Sequence, residues 1–294
     1  MKKVLVIVVV YNGMKWLERC LGSVASSSFP ADIFIMDNGS TDGSVEFVRR
    51  KYPDAILRID PSNSGFAAAN NEGMAYAMAN GYGFVYLMNQ DAWLMPDTLG
   101  LLIDACEGNP GFGILSPMQM KAGGEEMDYQ FSKRAYSARK EICENLWSVP
   151  YVMAAHWLVS RKCLGKVGFF APLFPFYGED ENYCSRALFH GFDIGVVPSA
   201  IAIHDRAERN EPKDRKIFRN FYMKSLALLS DPTRKCPLCR FLYIIPYSFH
   251  CCFKYRSQLP LKYLGKVFRK APEAMSVRRR SMAEGAFWLD FGRK

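Results

Sequence analysis

Four short apolar runs, at residues 4–10, 33–36, 56–59 and 84–88, alternate with segments of helical spacing through the first ninety residues, and no other feature narrows the fold so far. The first run, VLVIVVV, lacks the one-in-two polar alternation of a half-wetted strand and reads as a strand covered on both faces. Between the runs, Trp16, Leu17, Cys20, Leu21 and Val24 recur at three and four residues, and the spacing predicts further helices over 44–51 and 67–80. Short strands joined by helical crossovers make a parallel sheet wrapped by helices.

With 294 residues, 49% of them hydrophobic and 23% charged, the chain has the apolar mass for a large core, which excludes a disordered chain or a coiled coil. No apolar run approaches the roughly 20 residues of a spanning helix. The run at 4–10 leads into Tyr11-Asn12-Gly13 with no small-residue cleavage site, so it reads as a strand and not a signal peptide. Nine cysteines form no framework typical of a secreted domain, which points to a reducing, cytoplasmic setting. Cys236-Pro-Leu-Cys239 and Cys251-Cys252 lack the second spacer of a zinc site and read as small apolar packing residues.

Charge is split along the chain. Residues 1–205 carry 17 Lys and Arg against 22 Asp and Glu, whereas residues 206–294 carry 21 against 7. The expected division is a catalytic domain over 1–210 and a helical, basic C-terminal region over 211–294. In that region the aromatic-rich stretch 241–253 lies beside Lys254, Arg256, Lys262, Lys266, Arg269 and Lys270, a composition suited to an anionic membrane surface. A soluble helical appendage is the plainer alternative. Nucleic acid is disfavoured because no binding motif accompanies the charge.

In an open parallel sheet the ligand lies beyond the carboxyl ends of the strands. The residues found there are Tyr11-Asn12-Gly13, Asp37-Asn38-Gly39-Ser40-Thr41-Asp42-Gly43-Ser44, Asn63-Ser64-Gly65-Phe66 and Asn89-Gln90-Asp91-Ala92. Any one is ordinary turn chemistry, but four in succession describe a ligand edge. No Gly-x-Gly-x-x-Gly follows the first run and no Walker lysine motif occurs, which argues against dinucleotide oxidoreductases and P-loop enzymes. Asp91 is placed to hold Mg²⁺ or Mn²⁺ against two phosphates. Glu179-Asp180-Glu181 open a helix, where the dipole favours acids in any case. His204 is a candidate nitrogen ligand, although an isolated histidine there reads more readily as structural. Tyr151, His156 and Trp157 either wall a ligand pocket or pack in the core.

The succession VVVYNG, DNGSTDGS, NSGFAAANN, NQDA and YGED, over residues 4 to about 206, resembles the family 2 glycosyltransferases of the GT-A fold, most closely their bacterial rhamnosyltransferase-like branch. The resemblance implies a Rossmann-like mixed α/β sheet with helices on both faces, followed by the helical basic appendage. It further implies Asp37 at the nucleobase or ribose, Asn63, Gly65 and Asn70 bordering the nucleotide, Asp91 and His204 holding the metal, and Asp180 as catalytic base. Tyr11, Asn12 and Asn89 join the nucleotide edge from the collected strand ends, and Trp157 joins as a donor-pocket wall. The sequence departs from the family at Asn89, where many relatives have a second Asp, at Asn70, where many have Arg, and at Ala171, which replaces a common Asp.

The expected reaction is therefore inverting transfer of a sugar from a nucleotide-diphosphate donor to a hydroxyl of a glycan or lipid-linked acceptor, in bacterial surface polysaccharide assembly. Asp180 takes the acceptor proton, with Glu179 the alternative base. A nucleotidyltransferase would usually show a Gly-rich, basic loop after the first strand, and a non-catalytic sugar-nucleotide or membrane-binding protein would not need Glu179-Asp180. The expected setting is cytoplasmic, peripheral on the inner face of the cell membrane, with a homodimer left open.

Overall fold

The structure, a computed structural model, describes residues 3–206, 212–234 and 236–288. Chain order begins β1 (Val4–Val10), α1 (Met14–Ala25), β2 (Asp32–Asp37), α2 (Ser44–Lys51), β3 (Ile56–Ile59), α3 (Phe66–Ala79), β4 (Phe84–Asn89), β5 (Ala92–Leu94), α4 (Thr98–Gly108) and β6 (Phe112–Met120). It continues with α5 (Tyr129–Arg134), β7 (Lys140–Cys143), β8 (Leu146–Ser148), β9 (His156–Ser160), α6 (Arg161–Val167), α7 (Glu179–Phe189) and β10 (Asp193–His204). The C-terminal region holds α8 (Lys213–Ile217), a π-helical stretch (Phe218–Met223), α9 (Lys224–Ser230), α10 (Pro237–Tyr255) and α11 (Leu259–Ser281).

Among the described residues ten strands form one sheet in the order β3-β2-β1-β4-β9-β6-β10-β8-β7, with β5 on β10. β1 lies between β2 and β4, parallel to both, and the antiparallel β9 makes the sheet mixed. Successive strand side chains point to opposite faces. Val4, Val6, Val8 and Val10 enter one core with Leu17 and Leu21 of α1, Val48 of α2 and Leu102 of α4, while Leu5 and Ile7 enter the other with α3, α6 and α7. This is why β1 carries no polar position. Each fully buried side chain of this size contributes about 1.5–3 kcal/mol.

The expected domain boundary near residue 210 lies outside the described residues. On either side of it the core is continuous: Ile217, Phe221, Leu226, Leu229, Val267 and Val277 share one cluster with Phe170, Tyr183 and Ile194. Polar stitches accompany it. The Asn182 side chain donates to Ser230 Oγ at 3.1 Å, Phe169 N–H to the Ala286 carbonyl at 3.0 Å, and Gly285 N–H to the Lys166 carbonyl at 2.9 Å. The buried Arg186 donates to the Phe169 and Val167 carbonyls, with its guanidinium 4.8 Å from the Phe287 ring.

One cysteine expectation is corrected. Cys236 and Cys239 are exposed and disulfide-bonded to each other at the start of α10, where a two-residue spacer puts both on one helix face. Cys20, Cys106, Cys163, Cys184 and Cys251 are buried and form no disulfide among the described residues. Among the described residues no helix is long and apolar enough to cross a membrane.

Candidate active site

The register of β1 with its neighbours, Val10 opposite Asp37 and Val9 opposite Asn89, sets three strand ends side by side. The loops beyond them are knitted together. Tyr11 N–H donates to Gln90 Oε1 at 2.9 Å, and Gln90 Nε2 donates back to the Tyr11 carbonyl at 3.2 Å. Asn12 N–H donates to Ser40 Oγ, and Thr41 N–H to Asn12 Oδ1, both at 2.9 Å. Asp37 is 1% exposed, and its Oδ1 accepts from Gly39 and Ser40 N–H. Its Oδ2 is buried without a partner among the described residues, an acceptor that a ligand hydroxyl or base N–H would satisfy.

The third loop is shaped by Asp60, whose carboxyl is held well below the usual range by hydrogen bonds from Ser62 and Ser64. Asn63 follows at φ 50° and Gly65 at φ 96°. A Cβ on Gly65 would lie 2.7 Å from the Pro175 carbonyl oxygen, so the loop preceding α7 rests directly on the loop preceding α3.

β5 pairs with the end of β10, Ala92 opposite His204, and thereby joins Asp91 to His204. Asp91 Oδ1 lies 3.5 Å from His204 Nε2, and Asp205 N–H donates to the Asp91 carbonyl at 2.8 Å. His204 Nδ1 is buried with no hydrogen bond among the described residues, Asp128 Oδ2 lying 3.9 Å away. One carboxylate oxygen and one imidazole nitrogen suit a divalent ion such as Mn²⁺ or Mg²⁺. Among the described residues no three or more His, Cys, Asp or Glu side chains form a metal group. The donors therefore fit an ion shared with an oxygen-rich ligand and do not fit a closed protein cage.

At the start of α7, Asp180 Oδ1 accepts from Glu181 N–H at 2.8 Å and Oδ2 accepts from the Tyr151 hydroxyl. Arg134 lies 4.1 Å over the Tyr151 ring and pairs with Glu181. Burial and the Glu181 charge push the Asp180 carboxyl up, while Tyr151 and Arg134 pull it back. Burial and then the Asp180 charge push Glu179 well above the usual range, and its Oε2 has no partner among the described residues. A cavity of about 420 Å³ opens beside this cluster, lined by Arg134, Tyr151, Glu181, Ser185, Asp231 and Arg234 among others.

The remaining residues fall elsewhere. Trp157, expected to wall the donor pocket, is 0% exposed, its ring among Phe170 and Tyr183, so core packing prevails. His156 is bonded to the Tyr86 hydroxyl and the Ile203 carbonyl, and burial pushes it down to about 3. Asn70 is buried and donates to the Phe66 carbonyl within its own helix. Asn89 is half-buried at the end of β4. Gln90 and Arg134 were not singled out from the sequence; Gln90 sits within a collected motif, and Arg134 carries no local signal.

Residues 5–168 match the model of the family described as Glycosyl transferase family 2. An N-acetylglucosaminyl-diphospho-decaprenol L-rhamnosyltransferase of Mycobacterium tuberculosis is 26% identical over 234 residues, 69% of this chain and 76% of the relative. The polyprenol monophosphomannose synthase of Mycolicibacterium smegmatis is 23% identical over 215 residues, 67% of this chain and 76% of that one. Among solved structures, S. aureus TarS 1-349 in complex with UDP-GlcNAc superposes with a TM-score of 0.59 at 15% identity, covering 95% of this chain and 90% of that one. The mannosyltransferase PcManGT from Pyrobaculum calidifontis in complex with GDP-Man and Mn²⁺ gives 0.58 at 18%, covering 95% and 74%. These two likenesses establish the fold.

Proposed function

This chain belongs to glycosyl transferase family 2, and we propose that it is an inverting hexosyltransferase that moves a sugar from a nucleotide-diphosphate donor to a hydroxyl of a lipid-linked or glycan acceptor. The observation that carries the reading is the loop before α7, the helix that bears Asp180, resting on Gly65, whose carbonyl lies 3.5 Å from Asn38 Nδ2, next to Asp37 with its oxygen unpartnered among the described residues. Asp37, Asn63, Gly65 and the knitted Tyr11-Asn12 loop receive the nucleotide. Asp180 accepts the acceptor proton as the hydroxyl attacks the anomeric carbon and the nucleotide diphosphate departs from the opposite face. Glu179 is the alternative acceptor, its carboxyl pushed up by burial and by the neighbouring Asp180 charge. A divalent cation, Mg²⁺ or Mn²⁺, held by Asp91 and His204 would supply charge neutralisation at the leaving diphosphate.

The polyprenol-linked names of the two mycobacterial relatives support a lipid-linked acceptor, with the enzyme peripheral on the cytoplasmic face of the membrane. Residues 1–210 then act as the catalytic unit and 211–294 as the basic region facing the acceptor's membrane. Turnover across a panel of nucleotide sugars, with polyprenyl-linked and soluble acceptors, tests the reading. Product with inverted anomeric configuration is expected, and no turnover of any nucleotide sugar would sink it.

A further inference from the structure

Between Arg240 and Lys254, α10 runs through thirteen residues, FLYIIPYSFHCCF, without one Asp, Glu, Lys or Arg. Among the described residues only one side of that helix is occupied. Ile244 and Cys251 enter the core, the Tyr247 hydroxyl donates to the Asn220 carbonyl at 3.0 Å, and Arg240 is turned inward onto the Leu228 and Leu229 carbonyls. The other side presents Leu242 (64% exposed), Phe249 (58%) and Phe253 (88%), with Tyr243, Ile245 and Pro246 beside them. Leu242, Pro246, Phe249 and Phe253 recur at three and four residues and form one stripe along a helix about 28 Å long. A helix apolar on both sides needs a second apolar medium.

Charge identifies the medium. Residues 232–272 hold nine Lys and Arg and no Asp or Glu. Phe241 stacks on Phe268 with ring centroids 5.7 Å apart, which sets the exposed row Leu261, Gly265 and Phe268 of α11 beside α10. Lys262, Lys266 and Arg269 stand one position further along each, all exposed, so a cationic row borders the apolar one. Neither helix is long and apolar enough to span. We propose that the α10–α11 pair lies flat in an anionic bilayer surface, with Leu242, Phe249 and Phe253 in the acyl boundary and Lys262, Lys266 and Arg269 at the headgroups. This deepens the membrane setting proposed above by naming the surface that makes the contact. The cytoplasmic setting rests on that reading, whereas the stripe and the charge stand without it.

Because this region shares its core with the catalytic unit, outward-facing point variants of the full chain are the probe. Flotation is measured with vesicles of phosphatidylcholine alone and of phosphatidylcholine with phosphatidylglycerol. The full chain is expected to float with the anionic vesicles, and less as salt rises. Phe249→Ser with Phe253→Ser is expected to lower the bound fraction at least about tenfold with thermal unfolding unchanged. Lys262→Glu with Lys266→Glu is expected to remove the preference for anionic lipid. Equal flotation of the wild type and the phenylalanine variant, no flotation on anionic vesicles at low salt, or a stripe covered by a second copy in sedimentation would overturn the proposal. No turnover of any nucleotide sugar with either polyprenyl-linked or soluble acceptors, with flotation intact, sinks the transferase reading and leaves this surface standing.

Discussion

The Tyr151 hydroxyl donates a hydrogen bond to Oδ2 of Asp180 from a segment 29 residues earlier in the chain, and the Arg134 guanidinium lies over the same Tyr151 ring. Both neighbours favour the ionised carboxylate against burial and the Glu181 charge. A base acts only when deprotonated, so its activity is lost as pH falls through its pKa. Removing a bond to the charged form raises that pKa. Tyr151→Phe should therefore move the acid limb of the kcat profile to higher pH by about one unit, a shift of the size of one hydrogen bond to a charged group. Profiles of the two proteins that coincide would remove Tyr151 from the base's support.

Asp180→Asn keeps the shape of the side chain and removes the proton acceptor. Turnover should fall by about 10²- to 10⁴-fold while nucleotide affinity stays near its original value. Turnover and binding measured on one preparation check this, and full activity would reassign the base.

Asp91→Ala and His204→Ala should each weaken nucleotide-diphosphate binding in the presence of Mn²⁺ or Mg²⁺, because each removes a donor of the same pair. Titration calorimetry with and without EDTA is the measurement. Binding indifferent to chelation and to both substitutions would exclude a cation at this position.

Gly65→Ala places a methyl group 2.7 Å from the Pro175 carbonyl oxygen at a backbone φ of 96°. The strain should cost about 1–3 kcal/mol of stability, and the displaced loop should weaken the donor and slow transfer together. Thermal unfolding and donor affinity both read it; an unchanged donor affinity would separate this loop from the nucleotide.

The sheet's first half was legible because its signals are local. The apolar run 4–10, the helix 44–51 and the strand 56–59 reappear with the same bounds as β1, α2 and β3. What escaped depends on partners far along the chain. β5 has three residues and owes its existence to β10, and Arg134 reaches Glu181 across 47 residues. Trp157 shows a different limit: an apolar pattern cannot distinguish the wall of a pocket from the wall of a core. At Cys236 and Cys239 the spacing was weighed for zinc, although two thiols on one helix face also suit a bond to each other. The four collected strand ends do converge at one edge, and their assignment to a nucleotide is the proposal made above.

The three-residue ladder between β5 and β10 sets an order on biogenesis. Asp91 and Asp180 both leave the ribosome before His204, which arrives with the last strand of the sheet. A nascent chain halted after α7 carries Asp91 and Asp180 yet lacks His204. The Asp91–His204 pair is thus completed only when β10 closes against β5, so the cation site proposed above would be unavailable to a half-made chain.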